Sequence, residues 1–169
     1  KLFRGNRTHK YNAEQFNAFQ SPNFPELAEA GVHLKFNTPM FRPRSSGKLK
    51  VHTRLDTSIA VLKVFPGIAA PAVNAVLGAA GLRGVIIETF GAGNANTNPW
   101  FIQALAKAIK RGIVILNITQ CNAGSVLQGK YATSAGLRKI GVVGGGDMTL
   151  EAAITKMMFG LEADAADAK

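Results

Sequence analysis

Gly84-Val-Ile-Ile-Glu-Thr-Phe90 runs directly into Gly91-Ala-Gly-Asn-Ala-Asn96, and Asn98-Pro99 then opens a segment in which Phe101, Leu105 and Ile109 recur every four residues. Gly112 closes that segment ahead of Ile113-Val-Ile-Leu-Asn-Ile-Thr119. Two β-branched runs thus flank an amphipathic helix, the pattern of a βαβ unit whose parallel strands are joined by a helical crossover. The near-continuous apolar character of both runs predicts strands covered on both faces. Asn98 stands where an N-cap belongs, and Pro99 takes the first helical position, where a missing N–H costs little. Lys107, Lys110 and Arg111 suit the negative end of the helix dipole.

The same alternation extends in both directions. Upstream, Ile59-Ala-Val-Leu-Lys-Val-Phe65 reads as a strand closed by Pro66-Gly67, and Pro71 to Ala80 as a helix with Gly81 past its end. Downstream, Gly141-Val-Val143 reads as a fourth strand. A last helix is expected from Met148 to Leu161, with Asp147 as N-cap, Glu151 in the first turn and Ile154, Met157, Met158 and Leu161 on one apolar face. The expectation is an α/β domain over residues 51–161, a four-stranded parallel sheet flanked by helices, with residues 162–169 as a frayed tail. Residues 1–50 differ. They suggest a strand or hairpin at Leu2-Phe3, a short helix around Ala13 to Phe19, a turn at Ser21 to Pro25 and a strand from Val32 to Phe36. Pro39, Pro43, Ser45, Ser46 and Gly47 then read as a linker.

Composition narrows the class. With 169 residues, 47% of them hydrophobic, the chain can bury a core, and no apolar run is long enough to span a bilayer. A single cysteine, Cys121, forms no internal disulfide and points to a reducing compartment. The net charge of +10 is uneven: residues 1–54 hold ten Lys/Arg against Glu14, Glu26 and Glu29. That imbalance raises a nucleic-acid reading, but the cations form no stripe at helical spacing and no aromatic-rich strand accompanies them. His9, His33 and His52 are too scattered to define a metal site, and no Gly-x-Ser-x-Gly, phosphate-loop or zinc-finger spacing occurs.

The loop Gly91 to Asn96 follows a strand and precedes a helix, the position at which open α/β sheets bind ligands. Its glycines permit close backbone approach, and the amides of Asn94 and Asn96 offer donors and acceptors to an amide or a zwitterion. An ordinary turn with asparagines in left-handed conformation explains it as well. Asn96 breaks a dinucleotide-binding spacing. In Gly144-Gly-Gly-Asp147 the backbone N–H groups at a helix start could cradle an anion, but an aspartate cap would repel phosphate, and a structural turn is the favoured reading. Cys121 has no base beside it in sequence, and Lys10 is either a solvated lysine or a base.

Taken in order and spacing, Arg4-Gly-Asn-Arg-Thr-His-Lys10, Glu88-Thr-Phe-Gly-Ala-Gly-Asn94, Ile115-Leu-Asn-Ile-Thr-Gln-Cys121 and Gly144-Gly-Gly-Asp-Met-Thr149 resemble the C-terminal half of type I, cytosolic-type, L-asparaginases. The resemblance implies that residues 1–50 end an N-terminal α/β domain, that Lys1 is an internal start, and that an N-terminal half lies upstream. It implies hydrolysis of L-asparagine to L-aspartate and ammonia by a threonine nucleophile, without cofactor or metal. Of the catalytic set it assigns this chain only Lys10, the threonines and their aspartate lying upstream. Asn94, Asn96 and Tyr131 are implied to reach the substrate of a partner subunit in a homodimer or homotetramer, in the cytoplasm. Cys121 and Glu88 fall at an effector loop, where an arginine is expected in place of Glu88. A non-catalytic dimerisation or binding module is the alternative, and a basic nucleic-acid-binding domain a further one. Neither nucleic acid nor membrane is expected as a partner.

Overall fold

The computed structural model describes residues 1–129 and 132–167. The chain divides into two compact units, Lys1–Thr53 and Arg54–Lys169.

The first unit is built from two small antiparallel ladders. Strand β1 (His9–Lys10) pairs with β2 (Phe19–Gln20), and β3 (Ala28–Ala30) pairs with β4 (Leu34–Phe36). Leu2 is extended, as its apolar character suggested, and bridges Ala28, its N–H donating to the Ala28 carbonyl at 2.7 Å. The expected helix at 13–19 does not form. The Asn12 side chain accepts the N–H groups of Glu14 at 2.8 Å and Gln15 at 3.1 Å, an Asx turn that offers the backbone a local alternative to a helix. The N–H groups of Tyr11 and Asn12 then close the loop on the Ala18 carbonyl. The strand expected from Val32 begins only at Leu34, because Gly31 to His33 make the hairpin turn. The Phe24 ring carries the guanidinium of Arg4 at 4.1 Å and that of Arg7 at 5.7 Å. Residues 41–58 carry no helix or strand.

The second unit alternates strand and helix: β5 (Ile59–Lys63), α1 (Ala70–Leu77), β6 (Gly84–Thr89), α2 (Pro99–Lys110), β7 (Val114–Thr119), α3 (Ala132–Lys139), β8 (Val143–Gly144) and α4 (Leu150–Asp167). The strands form one parallel sheet in the order β5-β6-β7-β8, with Gly84 opposite Ile59 and Val114, and Glu88 opposite Lys63 and Ile118. Alternate residues feed two cores. Val85, Ile87 and Ile115 pack with Val73, Phe101, Leu105 and Leu137 of the first three helices. Ile86, Leu116 and Ile118 pack with Ala153, Met157 and Leu161 of α4. At Gly84 a Cβ would collide with Met157 and lie 3.0 Å from Leu161, so the absent side chain lets α4 lie close on the sheet.

Details depart from expectation. The fourth strand is Val143–Gly144 rather than 141–143, since Gly141 turns at φ 94°. The Asn98 side chain makes no cap bond, and the Asn98 backbone N–H donates to Asn96 Oδ1 at 2.9 Å. Helix α4 begins after Thr149, whose Oγ1 accepts the Ala152 N–H at 3.2 Å, so Thr149 and not Asp147 is the cap. The helix then continues to Asp167, through residues that the sequence suggested would fray. Helix α3 was not foreseen. Among the described residues no helix is long and apolar enough to cross a membrane.

Candidate functional site

The C-terminal ends of β6, β7 and β8 deliver their loops to one edge of the sheet, where a polypeptide with this topology holds its ligands. The first loop is Gly91 to Asn96. It is closed at its base by the pair Phe90 and Asn94, each backbone N–H donating to the other's carbonyl at 2.8 Å. Gly93 adopts φ 104° and is buried, a conformation that an L side chain strains to reach. Asn94 and Asn96 are half-buried, on one loop, so the structure brings these two sequence-predicted residues together. Asn96 also serves the loop itself through its bond to the Asn98 N–H.

A second loop, Gln120 to Gln128, lies against the first. The Leu127 N–H donates to the Ala92 carbonyl at 3.0 Å, and the Val126 N–H to the Gly146 carbonyl at 2.8 Å, tying in the loop after β8. The Gly145 N–H donates back to the Asn117 carbonyl at 2.7 Å. Beneath these loops lies a group of polar side chains that sequence reading did not single out. Asn117, on β7, is fully buried, as is Thr89 on β6. The Thr89 hydroxyl donates to Asn117 Oδ1 at 2.6 Å, while Asn117 Nδ2 donates to the Gly93 carbonyl at 3.3 Å and to Gln128 Oε1 at 3.2 Å. Gln128 Nε2 in turn donates to the Val142 carbonyl at 2.5 Å. A lone asparagine in a β-branched strand, where that residue is depleted, is the signal that would have found it.

Glu88 and Cys121 are joined indirectly. Gln120 Nε2 donates to the carbonyls of Glu88 at 2.8 Å and Val64 at 2.5 Å, and the next residue, Cys121, donates its N–H to Thr119 Oγ1 at 3.0 Å. The Cys121 thiol is exposed and Glu88 is half-buried. Lys10 belongs to the first unit, where it is exposed on β1 opposite Phe19. Tyr131 lies outside the described residues. Among the described residues no three His, Cys, Asp or Glu side chains gather in a way that could hold a metal ion.

The elements define a parallel α/β domain with a polar edge, preceded in sequence by a small antiparallel unit. Comparison with known proteins is specific: the glutaminase/asparaginase C-terminal domain matches residues 58–169 and the asparaginase N-terminal domain matches residues 1–42, so the chain belongs to the glutaminase/asparaginase family. It is 45% identical over 160 residues to L-asparaginase 1 of Escherichia coli K12, covering 94% of this chain and 47% of that protein. The crystal structure of L-asparaginase I from Vibrio cholerae superposes with a TM-score of 0.88 at 40% identity, over 95% of this chain and 48% of that one. The 60 kDa lysophospholipase of Mus musculus is 41% identical over 161 residues, 94% of this chain and 28% of its own length. The chain spans about half the length of these two bacterial asparaginases. The similarity to type I L-asparaginases expected from the four motifs therefore holds over nearly the whole chain.

Proposed function

We propose that this chain is the C-terminal part of an L-asparaginase, in which it supplies Lys10 to the catalytic group and the β6 and β7 loops to substrate recognition. The observation that carries this reading is the gathering of Asn94, Asn96 and the Gln120 to Gln128 loop at the C-terminal edge of the sheet in a chain matching both asparaginase domains in order.

The chemistry is acyl transfer in two steps. A threonine hydroxyl supplied from outside these residues attacks the side-chain amide carbon of L-asparagine. Its proton is relayed by Lys10, paired with an aspartate, with a second threonine assisting. The tetrahedral adduct collapses, the departing nitrogen takes a proton and leaves as ammonia, and water then cleaves the aspartyl ester by the same proton path. Lys10 is exposed on a short strand, accessible to such a partner. Asn94, Asn96 and Tyr131 act on the substrate of a neighbouring subunit, so a homodimer or homotetramer is the working unit. The carboxylate of Glu88, beside the Cys121 loop, disfavours an effector that carries carboxylates of its own. A cytoplasmic setting suits the exposed thiol.

Ammonia release from L-asparagine tests the reading. The 169-residue chain alone is expected to give none, whereas the chain refolded with the N-terminal half of the E. coli relative is expected to give turnover. Lys10→Met should lower kcat of that complex by about a hundredfold or more, the usual scale for loss of a general base. Sustained release by the pure chain, or full activity of Lys10→Met, overturns it.

A further inference from the structure

We infer that Asn117 is the positioning residue of the site: its buried carboxamide sets the backbone of the Gly91 to Asn96 loop and so the reach of Asn94 toward substrate. The inference deepens the asparaginase reading and rests on it for the reaction, though not for the loop.

Burying a carboxamide within a strand costs free energy unless its polar atoms are paired. Ile115 and Leu116 precede Asn117 and Ile118 follows it, and an apolar residue would continue the strand more cheaply. The Asn117 amide is paired on every side. Its oxygen accepts from Thr89, and both Nδ2 hydrogens are used, one on Gly93 and one on Gln128. The Thr89 hydroxyl has a second acceptor in the Ile118 carbonyl at 3.2 Å, longer than its 2.6 Å bond to Asn117. This pattern fixes which end of the amide is oxygen, because two carbonyl acceptors face the nitrogen.

The Gly93 contact connects the amide to function. Gly93 lies one residue before Asn94, and its backbone is pressed so close that a Cβ would lie 3.3 Å from Asn117 Nδ2 and 2.7 Å from Val126 Cγ1. The loop cannot drop toward the sheet against these atoms, and the Nδ2 bond keeps it from lifting. Through Gln128 the same amide reaches the Val142 carbonyl ahead of β8, so one side chain links the ends of three neighbouring strands. A group that positions a binding loop acts on substrate affinity more than on the chemical step.

Asn117→Asp keeps the shape and the acceptor for Thr89 but turns an oxygen toward the Gly93 and Gln128 carbonyl oxygens. In the 169-residue chain, hydrogen exchange at the Gly93 and Asn94 amides should quicken by about tenfold or more while the amides of Ile86 and Leu116 stay protected. In the complemented enzyme KM for L-asparagine should rise about tenfold with kcat within about threefold of the parent. Gln128→Met, at a half-buried position that tolerates the change, loosens the network from its other end and should give the same pattern at smaller size. Exchange that rises evenly through β6 and β7, or an unchanged loop with unchanged KM in either folded variant, overturns the inference. Absence of ammonia release by the complemented parent would instead count against the functional reading, leaving exchange to decide whether Asn117 holds the loop.

Discussion

At Gly93 two constraints coincide that are separate at most glycines: a φ of 104° and a Cβ position already occupied by Val126. Gly91, with φ 49° and open space around its Cβ position, carries only the conformational one. Gly93→Ala is therefore expected to lower the stability of the chain by roughly 1–3 kcal/mol, measured by urea unfolding, with Gly91→Ala at or below the bottom of that range. Equal effects of the two variants would show that Val126 yields freely. At this scale the sequence was partly legible. Glycines and asparagines after a strand announce a loop that approaches something closely, and Asn94 and Asn96 are in that loop. Asn117 was marked only by its rarity in a β-branched strand, and its network was not legible, because the Gly93 and Gln128 partners lie 24 residues before it and 11 after it and only folding brings them together. The cap assigned to Asn98 failed for a different reason, since the Phe101 N–H that its side chain would accept donates to the Asn98 carbonyl instead, at 3.0 Å.

Elements were legible where period and punctuation agreed. In α2 the four-residue spacing of Phe101 and Leu105, both fully buried, coincides with Pro99 at one end and Gly112 past the other. Helix α3 lacks such agreement: Gly136 interrupts it, and its support comes from tertiary contacts, with Ser134 and Leu137 fully buried and the Gly129 N–H donating to Ser134 Oγ at 3.1 Å. The entry to β5 shows a further device outside the hydrophobic pattern. Asp56 accepts the Ser58 N–H at 2.8 Å and pairs with Arg83, while the Ser58 carbonyl accepts the N–H groups of Arg83 and Gly84 at the start of β6. The Ser58 N–H chiefly, then the Ser58 hydroxyl, with the Arg83 guanidinium a lesser contributor, hold the Asp56 carboxyl below its ordinary range. A depressed folded value means that this contribution is complete above the unfolded value, about 3.9, and is lost as pH falls through the folded one. The melting temperature should thus decline more steeply below about pH 4 in the parent than in Asp56→Asn, which has no carboxylate to protonate there. Parallel profiles for the two proteins in that window would show that the tie adds nothing to stability.

Over the whole chain, burial is divided very unequally between the two units. In residues 1–53 Ala28 is the only buried apolar residue, while Phe16, Phe19, Val32, Leu34 and Phe36 are exposed. Fixing a residue's backbone costs about 1–2 kcal/mol, and two ladders of two and three residue pairs with one buried methyl do not offset that over such a length. Residues 54–169 contain both cores, one on each face of a parallel sheet whose strands are joined by short helical crossovers. This explains why the second unit was the legible one: its pattern of apolar residues is the cause of its fold, whereas in the first unit local turn chemistry at Asn12 and Gly31 decides the path. Stability should therefore reside in the second unit. A chain of residues 54–169 is expected to unfold in one cooperative transition with its midpoint within about 5 °C of the 169-residue chain, and a peptide of residues 1–53 to show none, both followed by circular dichroism. On the reading proposed above, the exposed aromatic side chains of the first unit are covered by the remainder of an N-terminal domain. Adding the N-terminal half of the E. coli relative to the full chain should then protect the amides of β1 to β4 from exchange, and should leave those amides unchanged when it is added to residues 1–53 carrying Leu2→Asp and Ala28→Asp, which break the bridge that organises the unit. Cooperative folding of the 1–53 peptide by itself would overturn this division, because it would require a source of stability other than apolar burial.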